Sequence, residues 1–176
     1  MPRDNIILIG FMGSGKSSIG HLIQTQTARR FVDTDQMIVK STGREISELF
    51  KTEGESAFRD RERLALESLH DEKHLVVATG GGIVTRRENI PLLRELGFVV
   101  WLTADEEAIF DRVSRNNRRP LLQTPDPRAT ISNLLTERNP LYEQAAQFKI
   151  DTSDLQLTRI AETICAAAGN HFSTGA

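Results

Sequence analysis

The chain has 176 residues, 39% hydrophobic and 26% charged, with a formal net charge of −2. That length makes one ordinary domain with a sizeable core, and the charge balance provides no broad basic surface for nucleic acid. No apolar run approaches the roughly 20 residues of a membrane span, and the single cysteine, Cys165, excludes an intrachain disulfide and fits a reducing cytoplasm.

NIILIG (5–10) reads as a first strand. It runs straight into a glycine loop, which is unlike a signal peptide. A helix follows over 16–27. RFVDTD (30–35), HLVVATGGG (74–82), GFVVWLT (97–103) and AQFKIDTS (146–153) are predicted as the second to fifth strands, with a C-terminal helix after the last and a frayed tail in GNHFSTGA. Runs such as VVA and FVVWL are apolar at successive positions, as in strands buried on both faces. Their alternation with helical patterns gives an α/β fold with a parallel sheet. Two segments fit that alternation poorly. Residues 36–70 are mainly helical, broken near TEGES, and too long for one crossover helix, so a small lobe beside the sheet is expected. SRNNRRPLLQTPDP (114–127) is polar, Arg-rich and carries three prolines. It is a loop of the length that often forms an active-site lid. Cys165 in TICAAA and Trp101 in FVVWL are expected in the core. Tyr142 is expected to pack its helix. The four histidines show no metal-ligand spacing.

Gly10-Phe11-Met12-Gly13-Ser14-Gly15-Lys16-Ser17 matches G-x-x-x-x-G-K-[ST] between a strand and a helix. The glycines let successive N–H groups turn inward as an anion nest, and the helix N-terminus adds unpaired donors. Gly13, Ser14, Gly15, Lys16, Ser17 and Ser18 are the candidate phosphate contacts. Lys16 reaches β- and γ-phosphates in such loops, and the Ser17 hydroxyl takes Mg²⁺. The motif specifies a nucleoside triphosphate and is silent on the reaction. No Asn-Lys-x-Asp guanine reader is present, and the small size favours a small-molecule kinase.

Asp33 and Asp35 alternate on the second strand and so share a face at its C-terminal end, where open α/β sheets bind ligands. One would hold Mg²⁺ and the other would accept or orient an acceptor proton; a helix N-cap at Asp35 is the plain alternative. Arg59 lies three residues before Glu62 on a helix, where a solvated charged face is the ordinary reading. The glycines at 80–82 allow a ligand close to the backbone or form a mobile turn. Arginine outnumbers lysine 17 to 5, which suits planar contacts to carboxylate and phosphate. Arg112, Arg115 and Arg119 fall on one helical face if the helix extends that far, although Pro120 disfavours helix at Arg119.

Taken together, GFMGSGKS, DTD, FR, ATGGGIV, RRPLL and ERNPLYEQAA resemble the shikimate kinases in order and spacing over essentially the whole chain. The resemblance implies a nucleoside monophosphate kinase-like P-loop fold in three layers. Its five-stranded parallel sheet has order 2-3-1-4-5, a helical acceptor lobe at about 34–62 and an Arg-rich lid at about 113–125, within one domain. It implies ATP-dependent phosphorylation of the shikimate 3-hydroxyl to give shikimate 3-phosphate and ADP, a step toward chorismate and the aromatic amino acids. Asp35 would contact the shikimate hydroxyls as the base or orienter. Arg59 and Arg138 would bind the carboxylate, with backbone contacts from Gly81 and Gly82. Phe50 and Phe58 would wall the ring, unless they are simply core. Lys16 and Arg119 would serve the transferred phosphate, Arg112 would stack near the adenine, and Asp33 would join Ser17 around Mg²⁺. A cytoplasmic monomer with two small-molecule substrates, no nucleic acid and no membrane is expected. A gluconate kinase on the same fold, or a nucleotide-binding module without catalysis, are the competing readings.

Overall fold

The computed structural model describes residues 3–115, 124–154 and 156–174. Five strands, β1 (Asn5–Ile9), β2 (Arg30–Asp33), β3 (Leu75–Ala78), β4 (Gly97–Thr103) and β5 (Phe148–Asp151), form one sheet in the order β2-β3-β1-β4-β5. Every pairing is parallel, as the expected topology requires. Consecutive β1 residues are all apolar from Ile6 to Ile9 because both faces of the sheet are covered. Ile7 and Ile9 pack toward Leu66, Leu93 and Tyr142. Ile6 and Leu8 pack toward Ile19, Ile23 and Ile164. The first face is covered by α3 (Ile46–Glu67), α4 (Asn89–Leu96) and α6 (Pro127–Ala145), the second by α1 (Lys16–Gln26) and α7 (Leu157–Thr174).

The stretch between β2 and β3 folds as α2 (Thr34–Thr42) and α3 around their own small core of Ile38, Leu49, Phe58 and Ala65. Within TEGES, Gly54 has φ 83° and ψ 172°, a backbone no helix uses and few residues other than glycine adopt, so α3 is kinked there. After β4, α5 (Glu106–Ser114) ends before the Arg-rich stretch. Most of the expected lid, including Arg119, therefore lies outside the described residues.

Several strand and tail expectations are corrected. β2 stops at Asp33, which caps α2 by accepting from the N–H groups of Asp35 and Gln36, so Asp35 belongs to a helix and the cap is Asp33. β3 stops at Ala78, and β5 spans only four residues. The C-terminal stretch is helical to Thr174. His171 stacks on Phe98 at 4.6 Å and Phe172 meets the edge of the same ring, so aromatic contact holds what composition reads as a frayed end. Cys165 is half-buried, and that partial burial pushes its thiol pKa up. Trp101 is in the core as expected.

One polar side chain ties the N-terminal edge of the sheet together. Asn5 is fully buried at the start of β1. Its amide donates to the carbonyls of Glu72 and Leu96, and its Oδ1 accepts from Leu75 N–H, each at 2.9 Å. Removing it leaves three backbone groups from three segments without a partner, at least two of them buried. Asn5→Ala is expected to destabilise the fold by roughly 3 kcal/mol, a fall in Tm of roughly 6–12 °C for a chain of this size. Thermal unfolding followed by circular dichroism checks this, and a Tm within 2 °C of the parent would contradict it.

Candidate active site

The loop between β1 and α1 is bent by glycines at positive φ: Gly10 at 144°, Gly13 at 80° and Gly15 at 91°. Close packing enforces two of them. A Cβ on Gly10 would lie 2.4 Å from the Leu102 carbonyl oxygen, and one on Gly13 would lie 3.0 Å from Val113. Gly15 is the N-cap of α1 and offers no side-chain acceptor, so the first N–H groups of this helix stay available to an anion. The aspartates at the starts of α2, α5 and α6 (Asp33, Asp105 and Asp126) instead take up such donors. Lys16, 9% exposed, arches back over the loop and donates to the Gly10 and Phe11 carbonyls at 2.8 Å. Below it lies a cleft of about 200 Å³ between the loop, Asp33, Asp35, Thr79 and Gly81.

Asp33 divides its two oxygens. Oδ1 caps α2, and Oδ2 accepts from the Ser17 hydroxyl at 2.9 Å. Ser17 and Asp33 therefore present adjacent oxygen donors at the cleft, a hard set suited to a small divalent cation that keeps most of its waters. Asp35, one residue into the helix that Asp33 caps, lines the same cleft.

The second half of the site lies beside it. Arg59, 6% exposed, pairs with Glu62 at 2.6 Å and Glu55 at 2.7 Å. Burial opposes its charge, and Glu62, then Glu55, more than offset that opposition, so the guanidinium is held above its ordinary pKa. Its position explains the glycine run. A Cβ on Gly82 would stand 2.1 Å from the Arg59 guanidinium, and a Cβ on Gly80 would stand 2.1 Å from Glu62 Oε1 and 2.9 Å from Asp35 Oδ1. None of these three glycines has positive φ among the described residues. Gly80 and Gly82 admit charged groups and Gly81 admits the phosphate-loop backbone; none is needed to bend the chain. Arg138, 2% exposed, reaches in from α6 and donates to the Gly81 carbonyl at 3.3 Å, while its Nε has no partner among the described residues. Phe58 is buried and belongs to the α2–α3 core. Phe50 is half-buried, its ring centre 4.7 Å from that of Phe58, and Arg59 lies over both rings.

Arg112 takes a different place from Arg59 and Arg138. It runs from α5 to the Gly13 carbonyl at 3.1 Å and to the carbonyls of Thr152 and Ser153 at 2.7 and 2.8 Å. It ties the phosphate loop to the segment after β5. Thr152 completes that tie through its hydroxyl, which donates to the Ser14 and Thr103 carbonyls. Gly13, Ser14, Gly15, Lys16, Ser17, Ser18, Asp33, Asp35 and Gly81 are thus brought together at the cleft or in its wall. Arg59, Gly82, Arg138, Phe50 and Phe58 gather beside it. Two contributors are hidden in the sequence. Glu62 stands out there only as a helical neighbour of Arg59. Tyr142 reads as packing, yet its hydroxyl donates to the Gly81 carbonyl. The i, i+4 spacing of Arg138 and Tyr142 could have pointed to one shared target.

The shikimate kinase family profile matches residues 12–168. A shikimate kinase of Thermodesulfovibrio yellowstonii is 47% identical over 91% of this chain and 92% of its own. One of Vibrio parahaemolyticus is 44% identical over 92% and 94%. Among solved structures, the shikimate kinase of Acinetobacter baumannii in complex with shikimate is similar at a TM-score of 0.91 and 37% identity, covering 95% of this chain and 93% of its own.

Glu62 has a pH signature. Its carboxyl is fully buried, and burial pushes its pKa up to about 7, with the Asp35 charge adding to the rise and Arg59 and Arg138 opposing it. A raised carboxyl contributes stability below its unfolded value that is lost as pH rises through the folded value. Stability from this group is therefore complete below about pH 4.5 and falls through about pH 7, by at most about 3 kcal/mol. Glu62→Gln cannot titrate, so the stability of the parent relative to this variant is expected to decrease between pH 5 and pH 8. Urea unfolding of both proteins across that range measures it; a gap that stays flat or widens with pH would count against the raised carboxyl.

Proposed function

The chain belongs to the shikimate kinase family, and from that membership we infer that it transfers the γ-phosphoryl of ATP to the 3-hydroxyl of shikimate, giving shikimate 3-phosphate and ADP. The observation that carries the acceptor side is the convergence of two buried arginines, Arg59 and Arg138, on the Gly81–Gly82 turn beside the phosphate loop. A carboxylate accepts a planar fork donor well. Asp35, lining the cleft beside Gly80, suits a hydroxyl, and Phe50 offers a half-buried apolar face for a ring.

In this reading the phosphates lie along the N–H groups from Gly13 to Ser18, and Lys16 turns from the Gly10 and Phe11 carbonyls to the β- and γ-phosphate oxygens. Ser17 and Asp33 would hold Mg²⁺, which would neutralise phosphate charge during transfer. Arg59 and Arg138 fix the acceptor by its carboxylate, which sets the reach of its hydroxyl. Asp35 accepts a hydrogen bond from the 3-hydroxyl. As the oxygen–phosphorus bond forms and the bond to the β-phosphate oxygen breaks, ADP departs with the bonding pair and the hydroxyl proton passes to Asp35. Arg112 holds the segment after β5 against the loop, leaving the face of its guanidinium to the adenine. Arg119 at the transferred phosphate rests on the family resemblance. A gluconate kinase would also need a carboxylate site, so substrate comparison separates the two.

ADP release is expected to depend strictly on shikimate when shikimate, gluconate and no acceptor are compared in a coupled assay with Mg²⁺ and ATP. Turnover with gluconate alone would overturn the acceptor, and nucleotide binding without acceptor-dependent release would point to a binding module. Asp35→Asn should retain ATP binding and lose roughly 10²-fold or more in kcat, as removal of a general base does. A kcat near that of the parent would remove Asp35 from proton handling.

A further inference from the structure

We infer that Tyr142 is a positioning residue for the acceptor: by holding the Gly81 carbonyl it fixes the Gly81–Gly82 peptide plane and so aims the Gly82 N–H into the acceptor site. The role rests on the substrate reading above. Its geometric part stands without it.

Tyr142 is fully buried on α6, one turn after Arg138. Its ring lies 5.7 Å from that of Trp101 on β4, with the planes 30° apart, so the side chain is anchored from the sheet. Its hydroxyl donates to the Gly81 carbonyl, and Arg138 Nη1 shares that acceptor. Burial pushes the phenol pKa upward, so the hydroxyl stays a donor across the working pH range.

The three glycines make this hold consequential. Glycine backbones have few steric limits, and three in succession would sample many orientations. Each carbonyl of the run is nevertheless taken. Gly80 O accepts from Ile83 N–H, and Gly82 O accepts from Thr85 N–H and its hydroxyl. Gly81 O, alone of the three, is held by side chains with no backbone donor among the described residues. On the donor side, Gly80 N–H goes to Thr34, whereas the N–H groups of Gly81 and Gly82 meet no acceptor among the described residues. A peptide is planar and trans, so its C=O and N–H point in opposite directions. With the Gly81 carbonyl drawn toward α6, the Gly82 N–H must point away from α6. It does so beside the Arg59 guanidinium, which occupies the space a Gly82 side chain would need. Two arginines and an aimed N–H then address one anionic group, and Tyr142 holds the third donor in place without touching the ligand.

Tyr142→Phe removes the hydroxyl and keeps the ring on Trp101, so the fold should survive with a Tm within about 4 °C of the parent. The expected kinetic result is a split: KM for shikimate rises by about fivefold or more while KM for ATP is unchanged. A second readout needs no substrate. Protein labelled with ¹³C-carbonyl, ¹⁵N-glycine gives carbonyl-filtered amide signals only from Gly81 and Gly82, because Gly80-Gly81-Gly82 is the one place in the sequence where glycine follows glycine. The Gly82 signal is expected to move or broaden in Tyr142→Phe, with the Gly81 signal little changed. An unmoved Gly82 signal, or an unchanged KM for shikimate in a parent enzyme that turns shikimate over, overturns the role of Tyr142. KM values for both substrates rising together would also overturn it, as general loosening. A parent enzyme with no shikimate-dependent ADP release overturns the substrate reading, while the Gly82 signal still decides the geometric claim.

Discussion

Because β1 and β3 run parallel and side by side, with Leu8 opposite Ala78, their C-terminal ends open on one edge of the sheet at the same height. Each strand then meets glycines, Gly10 after β1 and Gly80–Gly82 after β3. A Cβ on Gly81 would already stand 3.1 Å from Met12 N–H. The phosphate loop and the Gly80–Gly82 turn are thus pressed together by strand pairing. No long-range loop folding is needed to assemble them, because the register of two hydrophobic strands does it. The buried aliphatic residues of β1 and β3 hold that register, so the site inherits the rigidity of the core.

That edge also has to hold charge out of water. Arg59, Glu62 and Arg138 are all buried within the described residues, an arrangement that is expensive unless each charge has a partner. Arg59 and Glu62 answer one another at 2.6 Å. Arg138 has no close carboxylate partner among the described residues and is met by the Gly81 carbonyl, the Phe11 ring and, at longer range, the Glu62 charge. A carboxylate arriving between the arginines would meet donors whose desolvation was settled during folding, so little reorganisation is left for the binding step.

The strands and the phosphate loop were legible in the sequence because each rests on local pattern, continuous apolar runs and glycines at motif spacing, whereas the strand order came only with the family resemblance. The cluster of Arg59, Gly80–Gly82 and Arg138 stands out only as a set, since Arg59 alone reads as a surface arginine on a charged helix. What sequence obscured were places where tertiary contact decides. Asp33 and Asp35 look like alternating strand residues, yet the side chain of Asp33 ends the strand by capping α2, and this turns Asp35 onto a helix. GNHFSTGA has the composition of a loose end, but His171 and Phe172 find Phe98. Tyr142 looks like packing because nothing in its neighbourhood in the chain announces a glycine carbonyl 61 positions away.

The two oxygens of Asp33 give one carboxylate two masters. One oxygen faces Ser17 on the nucleotide side, and the other holds the first turn of the helix that carries Asp35. A ligand that drew Ser17 off Oδ2 would leave that oxygen without its donor and alter the field at the N-terminus of α2, where a helix is most sensitive to it. Occupancy beside Ser17 would then reach the helix that carries Asp35 through a single side chain, with no domain movement required. By linkage the message runs equally in both directions: whatever free energy a bound nucleotide adds to acceptor affinity, a bound acceptor returns to the nucleotide.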